Sequence, residues 1–129
     1  MNKLEHQILS ALQTYDQKLF PKVYGGGSFT LENGTAFSFI ILEKLGNTLA
    51  SYLDARNKPF SLKTVCQIGI NLIEALECLH SFGQLHNDLK LDNVLIGDQH
   101  SSKDSLKEIK LIDFGLSTSF LGPNGAHIK

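Results

Sequence analysis

Apolar residues first recur at helical spacing, at Leu4, Ile8, Ala11 and Leu12, with polar residues between them and Pro21 beyond. That pattern predicts a helix of about three turns, closed before the proline. The period then shortens to two: Phe37, Phe39 and Ile41 alternate with Ser38 and Ile40, as in a strand buried on one face and partly covered on the other. Asn33-Gly34, between two β-prone runs, predicts a tight hairpin turn ahead of that strand. Gly25 to Gly27 are too few and too isolated for a phosphate cradle, and they read as a turn or a flexible strand entry. After EKLGN, Leu49, Tyr52 and Leu53 share a short helical face. Ser61 stands at an N-cap position ahead of Leu62, Val65, Gly69, Leu72, Ile73, Leu76 and Leu79, the apolar face of the main helix, which Gly83 should end. Two short apolar runs, Val94 to Ile96 and Ile109 to Ile112, read as strands. The polar, Ser-rich GDQHSSKDSLK between them predicts an exposed, mobile hairpin loop. No internal repeat is present.

Composition narrows the partners. In 129 residues, 12 Lys and Arg balance 13 Asp and Glu. The chain therefore lacks the basic field that would suggest nucleic acid or an anionic membrane surface. No run approaches the roughly 18 apolar residues of a membrane span. One domain of modest core, soluble and intracellular (cytoplasm or nucleus), is the expectation. Cys66 and Cys78 fall on the main helix about 18 Å apart, too far for a disulfide. Both read as small buried hydrophobes of a protein in a reducing compartment. No Cys/His spacing suggests zinc, and His6, His80, His100 and His127 form no usable spacing.

Chemistry concentrates in two short stretches. HNDLKLDN, residues 86–93, places a His, an Asp, a Leu and an Asn at the spacing of the protein-kinase catalytic-loop signature, and Asp113-Phe114-Gly115 follows on the next predicted strand. Each is weak alone; in this order, with a strand after the first and a strand before the second, they are specific. Phosphoryl transfer needs a cation against the phosphates and an aligned hydroxyl. Asn93 and Asp113 offer hard oxygens for Mg²⁺. Asp88 is placed to orient the substrate hydroxyl and take its proton, and Lys90 to neutralise charge on the moving phosphate. Taken singly, Asp88, Lys90 and Asn93 could be turn residues. His86 reads as a packed residue holding the loop, and Asp92 as surface.

The chain resembles a eukaryotic protein kinase. FSLKTVCQIGINLIEALECLHSFGQLHNDLKLDNVLIG together with ILEKLGNTLASYL is similar to the casein kinase 1 family, over nearly the whole length. The resemblance implies an α+β, protein-kinase-like, incomplete bilobal fold: residues 1–42 from the N-lobe, 43–46 as hinge, 47–129 as the start of the C-lobe. It implies ATP and Mg²⁺ as cofactors and a protein Ser/Thr hydroxyl as substrate. Leu42 would be the gatekeeper, Glu43 and Leu45 would offer backbone groups to adenine, and Leu95 and Ile112 would line the nucleotide pocket. Glu5 would be the acidic partner of the ATP-binding lysine; the alternative for Glu5 is an exposed helix-surface carboxylate.

Three departures qualify the implied activity. Asn87 replaces the arginine usual before the catalytic aspartate, which argues against activation by loop phosphorylation. Leu91 stands in place of the usual proline, which should loosen the loop slightly. Neither a Gly-rich loop nor a strand-borne lysine precedes Glu5, and the substrate-binding segment is not among these residues. The 129-residue chain is therefore expected to be poorly active by itself and marginal in stability. A non-catalytic kinase-like module binding nucleotide or a partner is the second expectation. A small-molecule phosphotransferase of the aminoglycoside or choline kinase kind is the third; Lys90 and a true DFG weigh against it.

Overall fold

The structure is a computed structural model that describes residues 3–15, 18–97 and 108–128. The expected polar loop lies, from residue 98 to 107, outside the described residues, as does His100. The described elements are helices α1 (Lys3–Tyr15), α2 (Leu49–Arg56) and α3 (Leu62–Ser81) and strands β1 (Val23–Thr30), β2 (Ala36–Leu42), β3 (Gln84–Leu85), β4 (Val94–Ile96), β5 (Ile109–Leu111) and β6 (Thr118–Ser119). Strands pair antiparallel in twos, β1 with β2, β3 with β6 and β4 with β5. The α+β architecture is the expected one.

The hairpin forms where Asn33-Gly34 predicts, by a longer connection than a two-residue turn. The Gly34 N–H donates to the Leu31 carbonyl at 2.9 Å, and Leu31 N–H donates to the Thr35 carbonyl at 2.9 Å. Of the loop residues only Gly34 lies in the left-handed region, at φ 83°. This is a turn followed by one left-handed residue, the arrangement of three-residue loops.

Gly25 to Gly27 are neither turn nor strand entry, because they lie inside β1 opposite Ile41, Ile40 and Phe39. A Cβ on Gly26 would sit 2.7 Å from the Phe39 carbonyl oxygen and 3.1 Å from the His6 side chain. The glycine lets α1 approach the hairpin. That approach also decides which face of β2 is covered. Ile40 and Leu42 pack against the core, whereas Phe37, Phe39 and Ile41 are exposed, the reverse of the alternation read from sequence. Since both faces of β2 are apolar near its end, period alone cannot choose between them. The exposed Phe29 and Phe37 rings stack at 5.4 Å.

In α3 the N-cap is as expected, with Ser61 Oγ accepting the Thr64 N–H at 3.2 Å. Gly83, at φ 71°, closes the helix by donating to the His80 carbonyl at 2.9 Å. The expected face is right in part: Leu79 is buried, and Leu72 and Leu76 pack against the core, but the buried stripe runs through Ile68, Asn71, Ala75 and Cys78, while Leu62, Val65 and Ile73 are exposed. The helix is apolar over more than one stripe, so spacing permits several faces. Cys78 is buried as expected, but Cys66 is exposed, and the two form no disulfide with each other.

The core joins the elements into one unit. Leu9 and Leu12 of α1, Leu49 of α2, Leu79 of α3, the inward residues of β4 and β5, and Phe20 and Phe114 form one cluster. Tyr15 meets Phe82 edge-on at 6.1 Å, tying the end of α1 to the end of α3. No described helix is long and apolar enough to cross a membrane.

Candidate active site

The loop from His86 to Asn93 runs from β3 into a short 3-10 helix (Leu91–Asn93) that leads into β4. His86 is buried and fixed through both ring nitrogens. Its Nδ1 accepts the Asp88 N–H at 3.2 Å and its Nε2 lies 2.9 Å from the Ile112 carbonyl oxygen. An acceptor role for Nδ1 puts the proton on Nε2, so the neutral imidazole donates to Ile112. The ring also lies edge-on to Phe114 at 5.1 Å. As expected, His86 positions the loop.

Asp88, Lys90 and Asn93 meet. Asp88 Oδ2 accepts from Lys90 Nζ at 2.8 Å and from Asn93 Nδ2 at 3.0 Å. Asn93 Nδ2 also donates to the Asp88 carbonyl at 2.8 Å. The hydrogen bond from Lys90, and after it the one from Asn93, holds the Asp88 carboxyl below the usual aspartate range, while the same bond raises Lys90. Asp88 is therefore ionised near neutral pH. With the Asn93 amide nitrogen spent on Asp88, its Oδ1 is left as a hard acceptor. The Asn93 carbonyl in turn accepts the Ile112 N–H at 3.0 Å, which brings the residue preceding Asp113 against the loop. Asp113 is left-handed, at φ 62°, and its Oδ1 accepts the Gly115 N–H at 3.3 Å.

Glu5 reaches this site from α1. It is half-buried, and the nearby Phe114 backbone amide favours its ionised form. Burial first, then the charge of Asp113, raises its pKa above the ordinary 4.5. Among the described residues no lysine or arginine forms an ion pair with it. It is not an exposed surface carboxylate. Because the folded state holds the Glu5 proton more tightly than the unfolded chain does, this stabilising contribution is full below the ordinary value and is lost as pH rises through the folded one. Glu5→Gln keeps the size and a polar acceptor and removes the charge. It is expected to raise the urea midpoint at about pH 7 and to give no gain at about pH 4. A lowered midpoint at neutral pH would contradict this account of the charge.

The segment after β2 is pinned by a residue that sequence reasoning missed. Glu43 N–H donates to the Lys22 carbonyl at 2.8 Å, and Glu43 Oε1 accepts the Lys22 N–H at 2.9 Å. The same oxygen pairs with Lys110 Nζ, which also donates to the Phe20 carbonyl at 3.3 Å. Lys110 alternates with buried Ile109 and Leu111 in β5, and that outward position was its only sequence signal. Leu95 is the register partner of Lys110, so Leu95 shares the face from which Lys110 reaches Glu43. Gly46 N–H donates to the Ile96 carbonyl at 2.8 Å, docking the segment on β4. The Glu43 carbonyl and the Leu45 N–H make no backbone hydrogen bond among the described residues. Leu42 and Ile112 are half-buried.

A half-bilobal α+β frame carrying this loop and this aspartate defines a kinase-like catalytic core. The chain belongs to the protein kinase domain family, which it matches over residues 5–126. It is 29% identical over 127 residues to a probable casein kinase I homolog of Encephalitozoon cuniculi, covering 95% of this chain and 36% of that protein. It is 34% identical over 107 residues to the serine/threonine-protein kinase VRK2 of Homo sapiens, covering 83% and 20%. It is 38% identical over 120 residues to the probable serine/threonine-protein kinase fnkB of Dictyostelium discoideum, covering 93% and 20%. The chain spans about a third or less of the length of these curated relatives.

Proposed function

We propose that this chain is the central part of a serine/threonine protein kinase catalytic domain of casein kinase 1 type, moving the γ-phosphoryl of ATP to a protein hydroxyl. The observation that carries the reading is the network of Asp88, Lys90 and Asn93, tied by backbone hydrogen bonding to the residue before Asp113. The proposed division is residues 1–42 as N-lobe, 43–46 as hinge and 47–129 as C-lobe.

In this reading the Asn93 Oδ1 and the Asp113 carboxylate hold Mg²⁺. Two protein oxygens suit a cation that keeps waters and takes phosphate oxygens for the rest of its shell. When bound, Mg²⁺ and ATP supply the phosphoryl donor and neutralise its charge. Asp88 Oδ2 is occupied by Lys90 and Asn93. Asp88 Oδ1 is therefore the atom that orients the substrate hydroxyl and accepts its proton, while Lys90 places positive charge beside the transfer. The Glu43 carbonyl and Leu45 N–H meet the adenine edge, with Leu95 and Ile112 lining the pocket and Leu42 as gatekeeper. Glu5 receives the lysine that holds the ATP phosphates. ATP as donor and the exposed free thiol of Cys66 suit an intracellular setting.

A second reading is a kinase-like module that binds nucleotide or a partner without catalysis. Both are tested by measuring Mg²⁺-dependent thermal stabilisation by ATP, together with transfer of γ-labelled phosphate to peptides displaying Ser, Thr or Tyr. Label on Ser or Thr that disappears in Asp113→Ala supports the kinase. Stabilisation without transfer supports the module, and the absence of both responses defeats the kinase and leaves partner binding alone.

A further inference from the structure

Asn87 stands where a charged arginine is usual, and its side chain has a specific occupation. Its backbone is left-handed, at φ 64°, a conformation asparagine tolerates better than most residues. Its Nδ2 donates to the Leu116 carbonyl at 3.0 Å and to Thr118 Oγ1 at 2.8 Å. Both acceptors lie just beyond Gly115, in the segment leading away from Asp113. Thr118 and Ser119 form β6, paired with Leu85 and Gln84 of β3, and the Phe120 N–H donates to the Gly83 carbonyl at 3.0 Å. The segment is thus fixed on one side by a short strand pair and on the other by one neutral amide.

We propose that Asn87 is a positioning residue whose amide, bonded to Leu116 and to the Thr118 hydroxyl, sets the segment after Gly115 for protein substrate without any phosphate. The inference deepens the kinase reading and rests on it. A guanidinium in this place pairs with an anion and needs one to be supplied. The asparagine needs only a carbonyl and a hydroxyl that the chain already carries. Thr118 Oγ1 serves as acceptor, while Ser117 is buried and cannot replace it at the surface. The clasp also couples the segment to Asp88, the next residue, through the constrained backbone of Asn87.

Asn87→Gly is the informative variant, because glycine adopts the same backbone freely and lacks the amide. Amide hydrogen exchange at Phe120, whose N–H donates to the Gly83 carbonyl, should speed up by about tenfold, the effect of losing one or two net hydrogen bonds. The KM for a peptide substrate should rise by a similar factor, with the KM for ATP unchanged. Thr118→Val should give part of both effects and Thr118→Ser neither, and Asn87→Gly with Thr118→Val should be no worse than Asn87→Gly alone. Phosphatase treatment of the wild-type protein should leave its activity intact. Activity lost with phosphatase, unchanged exchange in Asn87→Gly, or equal rises in both KM values would overturn the inference. A wild-type protein that transfers no phosphate defeats the kinase reading and the substrate role with it, and the exchange result then reports separately whether the clasp exists.

Discussion

In the kinase reading, Asp88→Asn is expected to lower the turnover number by about 10²–10⁴-fold, the range for loss of a positioned acid–base group, with the KM for ATP nearly unchanged. The reason lies in how the carboxylate is divided. One oxygen is committed to Lys90 and Asn93, and the other accepts no hydrogen bond among the described residues. An amide can keep the first set of bonds only by turning its NH₂ toward the substrate hydroxyl. A donor then stands where an acceptor is required. The sign of the pH dependence follows from the same bonds. With its pKa held below the ordinary 3.8, chiefly by Lys90, Asp88 keeps its charge as pH falls through the range where free aspartates protonate. Its contribution to stability is present above the unfolded value and is lost only below the folded one. An acid limb of kcat at about pH 6 would therefore belong to another group. Steady-state kinetics on the folded variant, checked by circular dichroism, measure the effect, and an unchanged turnover number would remove Asp88 from the reaction.

What could be read before the structure was local. The N-cap at Ser61, the stop at Gly83 and the spacing from His86 to Asn93 each depend on residues a few positions apart, and each is where expected. The faces of β2 and α3 were not legible, because both elements carry apolar residues on more than one side and only the position of α1 and the core selects among them. The Gly25 to Gly27 run looked like a break in structure. Its role, admitting α1 close to β1, depends on a helix that approaches from elsewhere in the chain. Long-range pairs were hidden for the same reason. Lys110 and Glu43 are 67 positions apart, and Asn87 and Thr118 are 31 apart, so no spacing rule connects them. Glu5 shows the intermediate case. Resemblance marked the residue, but its half-buried place beside Asp113 and the Phe114 N–H came from tertiary packing.

Phe114→Ala should cost about 3–5 kcal/mol of folding free energy, the range for removing a buried phenyl ring. The ring is fully buried, lies 6.0 Å from the Phe20 ring and 5.1 Å edge-on from His86. These contacts join three parts of the candidate site: the segment after α1 that carries Phe20, the loop from His86 to Asn93 and the segment carrying Asp113. The Phe114 side chain is itself apolar, so the loss is one of packing, and the cavity would open beneath His86. Against a typical domain stability of about 5–15 kcal/mol, this loss is a large fraction, and it would unfold a domain at the lower end of that range. Phe114→Leu, which fills most of the volume, should cost much less. Urea titrations of both variants decide the point, provided the slopes agree with wild type. In the fraction of Phe114→Ala that remains folded, His86 loses its edge contact, and the hydrogen bonds it makes to Ile112 and Asp88 should loosen. Amide exchange would then accelerate more at Asp88, in the loop from His86 to Asn93, than at the α3 amides of the same sample. Equal acceleration at both places would mean that Phe114 supports the core alone, with no particular hold on the loop.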